Sequence, residues 1–367
     1  MKRSLEILGA IVAATIGSGV FALPYIIQRS GWLLSLGYFI ALIAIVSIAH
    51  ILYLRTLETA HEKKTLLGLT REHFKGTGFW VGFFAIVIGL LLGFVGYLVL
   101  GSKFISIIFP GIPAPVALAI FWAVIAILIF KSGGSAAILE VAGVVLISIA
   151  IIFIFSSGDP LHLSIGAPLA SAKNFFLPFG AVLFSLTGWT SVEQVYEIRR
   201  RQGKKKRDLL FFVFGAAFAG LLYWLFSLGI LNSVMSVSAD TISSIGVWPL
   251  WKKDLVAVVG LLAMGVVAIP LSREIRGALE KELKWNRFTA RSFIALAPLA
   301  LVLLGLNNFL VIVSLAGGVF LGVQYILIIS IGRNALKLSF RERSMLDFLI
   351  ILFACFAIYE IAAFIVH

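Results

Sequence analysis

The sequence predicts an all-α integral membrane protein, with about eleven transmembrane helices in one transmembrane domain that covers residues 1–367. The chain is 61% hydrophobic and 13% charged, and its mean hydropathy is +1.08. A soluble fold of this length cannot bury so much apolar surface. Apolar runs of about 20 residues, the length that crosses a bilayer, recur along the whole chain.

The predicted spans follow one another with short polar connections, which leaves no room for a separate soluble domain. We place them near residues 5–28, 32–54, 79–107, 114–131, 136–156, 173–198, 208–231, 254–275, 291–306, 309–332 and 346–366.

The basic residues predict the orientation of the spans. The formal charge is +13, but the basic residues lie between apolar spans and not on a soluble module, so nucleic acid is excluded as a partner. With a cytoplasmic N-terminus, 25 of the 30 Lys and Arg fall on the inner side and 5 on the outer side. The positive-inside rule then predicts a multi-pass protein of the cytoplasmic membrane with its C-terminus outside. The lipid bilayer is the expected partner, and no obligate protein partner is evident.

The first span is interrupted. Its residues 15–24 read TIGSGVFALP, in which two glycines flank a serine and a proline closes the run. Such residues are poor helix formers, and irregular backbone at membrane depth is tolerated where it is buried or lines a cavity. Its free amides and carbonyls can then bind a solute. This feature indicates transport.

The sixth span carries a second interruption, which begins at residues 178–180 (PFG) and ends in residues 185–189 (SLTGW). Interruptions in spans one and six are what an inverted repeat of five plus five helices predicts, with a substrate site between them near the midplane. We expect one repeat at about 5–156, a second at about 173–332 and an extra helix at about 346–366.

Motifs in three spans resemble the amino acid–polyamine–organocation superfamily, whose members share the LeuT-type fold. Residues 17–25 (GSGVFALPY), followed by residues 30–32 (SGW), resemble the first span of the amino acid/auxin permease family and its bacterial aromatic amino acid permeases. Residues 97–101 (YLVLG) resemble that family's third span, and residues 183–189 (LFSLTGW) are similar to the broken sixth helix of the superfamily.

The resemblance implies secondary active transport of an amino acid by alternating access, driven by H⁺ or Na⁺. The first break would bind the substrate carboxylate through backbone amides and the Ser18 hydroxyl, and the second would bind the amino group and shape the side-chain pocket. Half-helix ends suit these roles, because an N-terminus is partly positive and a C-terminus exposes carbonyls. The expected substrate-binding residues are Thr15, Ile16, Gly17, Ser18, Gly19, Val20, Phe21, Tyr97, Phe184, Ser185, Leu186, Thr187, Gly188 and Trp189.

The expected lining is apolar and aromatic, through Phe21, Tyr97, Phe184 and Trp189, and neither break contains a carboxylate. A cationic side chain would therefore meet no counter-charge there. This favours a neutral, hydrophobic or aromatic amino acid over lysine, arginine or a polyamine.

Acidic residues inside spans are costly and are candidates for function. Glu140 and Glu193 are the proton-coupling candidates, although Glu140 suits an ion pair near the span end equally well. Glu197 is the candidate for an inner gate, paired with one of the arginines at 199–201 or with another inner-loop base, and the alternative is a solvated helix end. No metal or other cofactor is predicted.

Sodium coupling in this fold needs hydroxyls and carbonyls between spans one and eight. Span eight offers Ser272 after Pro270, whereas related sodium-coupled carriers place a hydroxyl before such a proline. This departure favours H⁺ over Na⁺, with a sodium-coupled symporter or exchanger as the alternative.

The sequence gives less support to other classes of function. The span-one glycines are compatible with simple helix packing. A membrane-embedded hydrolase built on Ser18 would need a histidine at the same depth, and the histidine within a span, His50, lies near a span end. A non-transporting amino acid sensor of the same fold is the third alternative. We therefore expect a carrier and not an enzyme.

Overall fold

The computed structural model describes residues 2–60, 64–131, 137–156 and 167–366, and the regular structure in these ranges is entirely helical. Each of the eleven predicted spans corresponds to one helix or to a pair of shorter helices. The first half contains α1 (Lys2–Thr15), α2 (Leu23–Ser30), α3 (Trp32–Thr59), α4 (Leu66–His73), α5 (Thr77–Ile108), α6 (Ala114–Lys131) and α7 (Ala137–Ser156).

The second half repeats the alternation of broken and continuous helices. It contains α8 (Pro178–Leu186), α9 (Thr190–Gln202), α10 (Leu210–Leu231), α11 (Leu250–Glu282), α12 (Arg287–Leu303), α13 (Phe309–Ser314), α14 (Gly322–Ala335) and α15 (Phe340–Val366). A π-helical segment, Leu315–Leu321, joins α13 to α14 into one continuous span.

Seven helical segments in the described ranges are at least 18 residues long and apolar enough to cross a membrane. The shorter or interrupted segments at spans one, five, six and nine complete the predicted set. The all-α membrane architecture is thus confirmed, whereas the exact repeat boundaries and the orientation of the termini stay predictions. Span eight is longer than predicted: α11 runs to Glu282, past the expected end at 275, and charged residues of this extension line a wide opening.

The first predicted break is present between α1 and α2. The last bond of α1 runs from the Ile16 N–H to the Val12 carbonyl, at 2.9 Å. Gly17 is extended, a short 3-10 turn covers Ser18–Phe21, and α2 begins with Pro24 in its first turn. Proline is suited to that position because the first-turn amides have no partner inside the helix.

The second predicted break separates α8 from α9. Thr187 is extended, with φ −61° and ψ 139°, and the chain turns through Gly188 and Trp189 before α9 begins. Both interruptions therefore lie within protein and not against lipid, since the residues that form them are buried except for Thr187, which is partly exposed.

An ionic cluster joins the ends of several helices. It lies on the side of the protein where α1 begins, here termed the N-terminal side. The Arg199 guanidinium is 2.9 Å from Oδ2 of Asp208 and 2.9 Å from Oε1 of Glu58, and Arg3 is 2.5 Å from the same Asp208 oxygen. Arg3 also donates to the carbonyls of Gln202 and Gly203. This cluster holds the start of α1 against α3, α9 and the loop before α10.

We predict that Asp208→Asn lowers the free energy of unfolding by about 3 kcal/mol, because it leaves two guanidinium groups short of a buried counter-charge. The matched control is Glu72→Gln, which breaks the exposed pair of Glu72 with Lys64 and should cost less than about 1 kcal/mol. Reversible unfolding in detergent measures both. Equal costs for the two variants would contradict a stabilising role for the cluster.

Candidate functional site

The two breaks touch each other through glycines. A Cβ on Gly19 would lie 2.4 Å from Oγ and 2.9 Å from Cα of Ser185, and a Cβ on Gly188 would lie 2.6 Å from Oγ1 of Thr15. At Gly19 the Ser185 main chain leaves no room for a side chain, whereas at Gly188 the neighbour is the Thr15 side chain. Each interruption therefore uses its own glycine to meet the other.

Tyr223 of α10 links the ends of both half-helices. Its hydroxyl is 2.7 Å from the Thr15 carbonyl and 2.9 Å from the Ser185 carbonyl. These carbonyls belong to the last turns of α1 and α8, where helical partners are missing. A single hydroxyl proton is shared between them.

A small buried space, here termed the central cavity, lies between the breaks and the long helices α5 and α11. Its volume is about 30 Å³, which is room for one or two water molecules. Seven of the predicted substrate residues line it: Thr15, Gly17, Gly19, Tyr97, Phe184, Thr187 and Trp189. The structure thus shows the central cavity closed to about the size of water.

The other seven predicted residues do not line the central cavity. Ile16, Val20, Leu186 and Gly188 are buried in the surrounding packing, and Ser185 bonds to the Ala181 carbonyl of its own helix. The Ser18 hydroxyl is fully buried and has no hydrogen-bond partner among the described residues. The predicted substrate role of these residues stays a prediction.

Phe21 differs most from its predicted place in the substrate site, because it lies on the side of the central cavity away from the wide opening. Its ring packs against Phe104 and Phe226 at centroid distances of 4.9 and 5.3 Å. Here it closes that side.

Eight cavity residues were missed in the sequence analysis. Gly89, Gly93 and Tyr97 are spaced by four residues on α5, so they form one stripe on a single helix face. From this spacing, Gly89 and Gly93 could have been predicted to line the cavity beside Tyr97. The remaining missed residues have ordinary packing side chains and no comparable signal: Ala14, Leu90, Thr190, Val267, Leu271 and Leu321.

The Trp189 indole is held by a chain of hydrogen bonds. Its Nε1–H donates to Oε1 of Gln324 at 2.7 Å, and the Gln324 amide donates to the Ala85 carbonyl at 2.8 Å. His50 is a buried core histidine that bonds through Nε2 to the Tyr325 hydroxyl at 3.0 Å, while its Nδ1 has no partner among the described residues. The Nε2 bond goes to Tyr325 and not to Ser18.

A wide opening, here termed the vestibule, leads from the N-terminal side toward the central cavity. Its volume is about 650 Å³ and its walls carry many charged residues. Thr190 lines both spaces, so the vestibule begins where the central cavity ends. The charged residues in its walls are Glu6, Glu193, Glu197, Arg201, Arg273, Glu274, Arg276, Glu280 and Lys281.

Two carboxylates face the vestibule close to the central cavity. Glu193 accepts a hydrogen bond from the Tyr53 hydroxyl at 2.8 Å. Glu274 of α11 is 7% exposed and was missed in the sequence analysis, since it follows Pro270 where the apolar run was ending. Glu274 is therefore buried and Glu193 half-buried, and both line the vestibule.

The other acidic candidates are placed differently. Glu197 lies in the vestibule wall, 3.9 Å from Arg201, while the buried Arg199 pairs with Glu58 and Asp208. Among the arginines predicted to pair with Glu197 at the gate, Arg201 therefore makes a distant contact with it. The side chain of Glu140 lies outside the described part of the structure, so its role stays a prediction.

The opposite side of the central cavity is covered by the loop between α10 and α11. Thr241 adopts a left-handed conformation, φ +62°, and donates from Oγ1 to the Phe21 carbonyl at 2.5 Å. Asp240 forms an ion pair with Lys103 of α5. Burial opposes its ionisation, but hydrogen bonds from Lys103, Ser238 and Ser243 prevail and lower the pKa of Asp240 below its usual 3.8.

We predict that Gly19→Ala disrupts the site, because the new methyl group would clash with the Ser185 main chain and force the breaks apart. Ligand binding should fall about tenfold or more, since a displacement near 1 Å costs that much in a preorganised site. The control is Gly37→Ala, where an added Cβ meets nothing within 4 Å. Tryptophan fluorescence titration with amino acids checks both, and unaltered binding in Gly19→Ala would refute the close approach.

Comparison with known proteins gives the fold but no family. No family model matches the chain, and no curated protein is significantly similar to it. The structure of MhsT in complex with L-phenylalanine is similar, with TM-score 0.66 and 14% identity over 96% of this chain and 98% of MhsT. A mutant of the Eremococcus coleocola manganese transporter gives TM-score 0.67 and 12% identity over 99% of this chain and 88% of that one.

These identities are too low to carry over a substrate or a family, so membership of the amino acid/auxin permease family stays a prediction. The agreement in helix arrangement over nearly the whole chain confirms the predicted architecture. The protein is a multi-pass membrane protein with the LeuT-type transporter fold.

Proposed function

We propose that the protein is a secondary transporter that carries a neutral, hydrophobic or aromatic amino acid across the cytoplasmic membrane by alternating access, coupled to protons. One observation carries the proposal: two broken helices enclose a small cavity that leads into a wide vestibule on one side and is covered on the other. This asymmetry is what one state of an alternating-access carrier requires. The positive-inside rule makes the vestibule cytoplasmic.

The lining of the central cavity supports an amino acid as the substrate. Of the two similar structures, one binds L-phenylalanine and the other is a manganese transporter. A manganese ion prefers carboxylate and other hard oxygen ligands. The described residues include no group of three His, Cys, Asp or Glu that could hold a metal, and the cavity wall offers hydroxyls, aromatic rings and glycine main chain.

The main chain at the breaks suits a zwitterion. Gly17 and Gly19 present backbone at the cavity wall beside the start of a helical turn, where amides favour a carboxylate. Phe184, Tyr97 and Trp189 supply flat apolar surface for the side chain. An amino acid needs more than the present 30 Å³, so binding requires the central cavity to widen.

The geometry around Tyr223 supports protons over sodium. Carbonyls at half-helix C-terminal ends are the groups that coordinate Na⁺ in carriers with broken helices. Here the carbonyls of Thr15 and Ser185 already accept hydrogen bonds from the Tyr223 hydroxyl. The Ser272 hydroxyl, the remaining sodium-ligand candidate in α11, donates to the Ile269 carbonyl of its own helix.

Glu193 and Glu274 are the proposed proton carriers. Two carboxylates in a confined site favour holding one proton between them, since like charges there repel. Tyr53 donates to one of them and the vestibule gives water access to both. Reloading of this pair would then accompany each transport cycle.

Uptake into proteoliposomes tests the function. We expect labelled phenylalanine, tryptophan or leucine to accumulate under an inward H⁺ gradient without Na⁺, and neither arginine nor Mn²⁺ to compete. Accumulation that needs Na⁺ and ignores pH would refute proton coupling, and competition by arginine would refute the neutral substrate class. Binding without flux would point to a sensor, and conversion of the solute by purified protein would point to an enzyme.

We predict that Glu193→Gln and Glu274→Gln each reduce H⁺-driven accumulation about tenfold or more, because an amide cannot carry the proton. Exchange of internal for external substrate at equal pH should remain near the wild-type rate, since it needs no net proton movement. Glu197→Gln is the control in the same vestibule and should keep its H⁺ response. Loss of exchange and accumulation together would contradict a coupling role for the pair.

A further inference from the structure

The eleventh span carries a buried carboxylate that faces protein and not lipid. Glu360 is 9% exposed, whereas Ile358 and Ile361 on the same helix are 66% and 44% exposed. A carboxylate within a bilayer is costly unless it has a partner. α15 lies outside the two predicted repeats. A helix that only faced the bilayer would have no use for a buried carboxylate, so Glu360 needs another explanation.

The partner of Glu360 is the first turn of the half-helix α8. Pro178 has no N–H, and the Phe179 N–H donates to the Phe176 carbonyl at 3.1 Å. The residue before the helix, Leu177, has no side-chain acceptor for the next amide. Instead, Oε1 of Glu360 lies against Gly180, so the carboxylate faces the main chain of this helix start. Glu360 therefore takes, from another helix, the place of the cap that Ser, Thr, Asp or Asn usually provides.

Glycines make room for this cap. A Cβ on Gly180 would lie 2.7 Å from Oε1 of Glu360, and a Cβ on Gly318 would lie 2.2 Å from its Cγ. A Cβ on Gly317 would lie 1.9 Å from the Gly180 carbonyl oxygen. Gly317 and Gly318 belong to the π-helical segment of span ten, and π-helical turns are often found at functional sites.

Aromatic contacts fasten the same end of α8 to α15. The rings of Phe179 and Phe356 stack with centroids 3.7 Å apart and planes 6° apart, and Phe176 lies 4.5 Å from Tyr359. The carboxylate adds a charge interaction to this packing, since a helix N-terminus favours a negative group.

The capped half-helix leads directly to the site. It carries Phe184, which lines the central cavity, and it ends at the second break. We propose that Glu360 is a positioning residue that sets the place of α8, and so of Phe184, during transport. This inference rests on the proposed transport function. It assigns to the eleventh helix a part in the carrier cycle.

The test compares Glu360→Gln, which keeps an acceptor oxygen, with Glu360→Leu, which removes it. Both are made in a Cys355→Ser background that carries Phe226→Cys as a reporter, because Cys355 is the single native cysteine and Phe226 packs against Phe21 on the covered side. A membrane-impermeant maleimide is added from the covered side, and the rate at which it labels the reporter cysteine measures how often that side opens. Glu342→Gln, at the exposed start of α15, is the matched control.

We expect the leucine variant to label about three- to tenfold faster and to raise the KM for phenylalanine by a similar factor, as the loss of a cap predicts. Glu360→Gln should stay within about twofold of the parent, as should Glu342→Gln. If the leucine variant does not fold, Glu360→Asp, one methylene too short to reach Gly180, takes its place with the same expectation.

Parental labelling and KM in the folded fraction of the leucine or aspartate variant would overturn the proposal. Equal defects in the leucine and glutamine variants would also overturn it, because charge and not capping would then be responsible. The labelling rate needs no substrate, so a parent protein that transports no amino acid would refute the proposed function while this arm still measures the cap.

Discussion

The need to satisfy every main-chain polar group inside a bilayer is the constraint on which the rest of this structure depends. Two helices stop halfway across the membrane, and each interruption leaves amides and carbonyls without helical partners. The protein answers with groups from elsewhere in the chain: the Tyr223 hydroxyl at the ends of α1 and α8, Thr241 at the carbonyl of Phe21, and Glu360 at the start of α8. The Ser18 side chain, in the first break, is buried with no hydrogen-bond partner among the described residues.

The distribution of charge follows from the same constraint. Two acids and two bases on the N-terminal side, Arg3, Glu58, Arg199 and Asp208, are paired in the ionic cluster, where charge is held fixed. Glu193 and Glu274 border a water-accessible vestibule, where charge can change. The ionic cluster and the pair proposed to carry protons thus lie on the same side of the protein, in separate groups of residues.

The fold was predictable from the sequence, because apolar runs of about 20 residues indicate the spans, and glycine and proline inside such a run have few other physical explanations. Both breaks and all eleven spans were predictable on that ground. Seven of the fourteen residues predicted for the site line the central cavity, and their role in binding stays a prediction. Three things were not predictable. Glu274 was hidden because a vestibule lets charges continue a transmembrane helix past the apolar run. Phe21 lies in the first break, where substrate binding was predicted, but it packs on the covered side against Phe104 and Phe226, which are distant in the sequence. Tyr223 and Glu360 act across long sequence separations that no local pattern reveals.

The shared hydrogen bonds of Tyr223 limit how the helices can move. One hydroxyl serves the Thr15 and Ser185 carbonyls together, so any motion that pulls the two half-helices apart forfeits at least one bond, worth about 1 kcal/mol. The inexpensive motion keeps the three segments rigidly joined. In such a motion α10, the seventh span, moves together with α1 and α8 as one rigid unit. The hinges then lie beyond its ends, in the loops that flank α10.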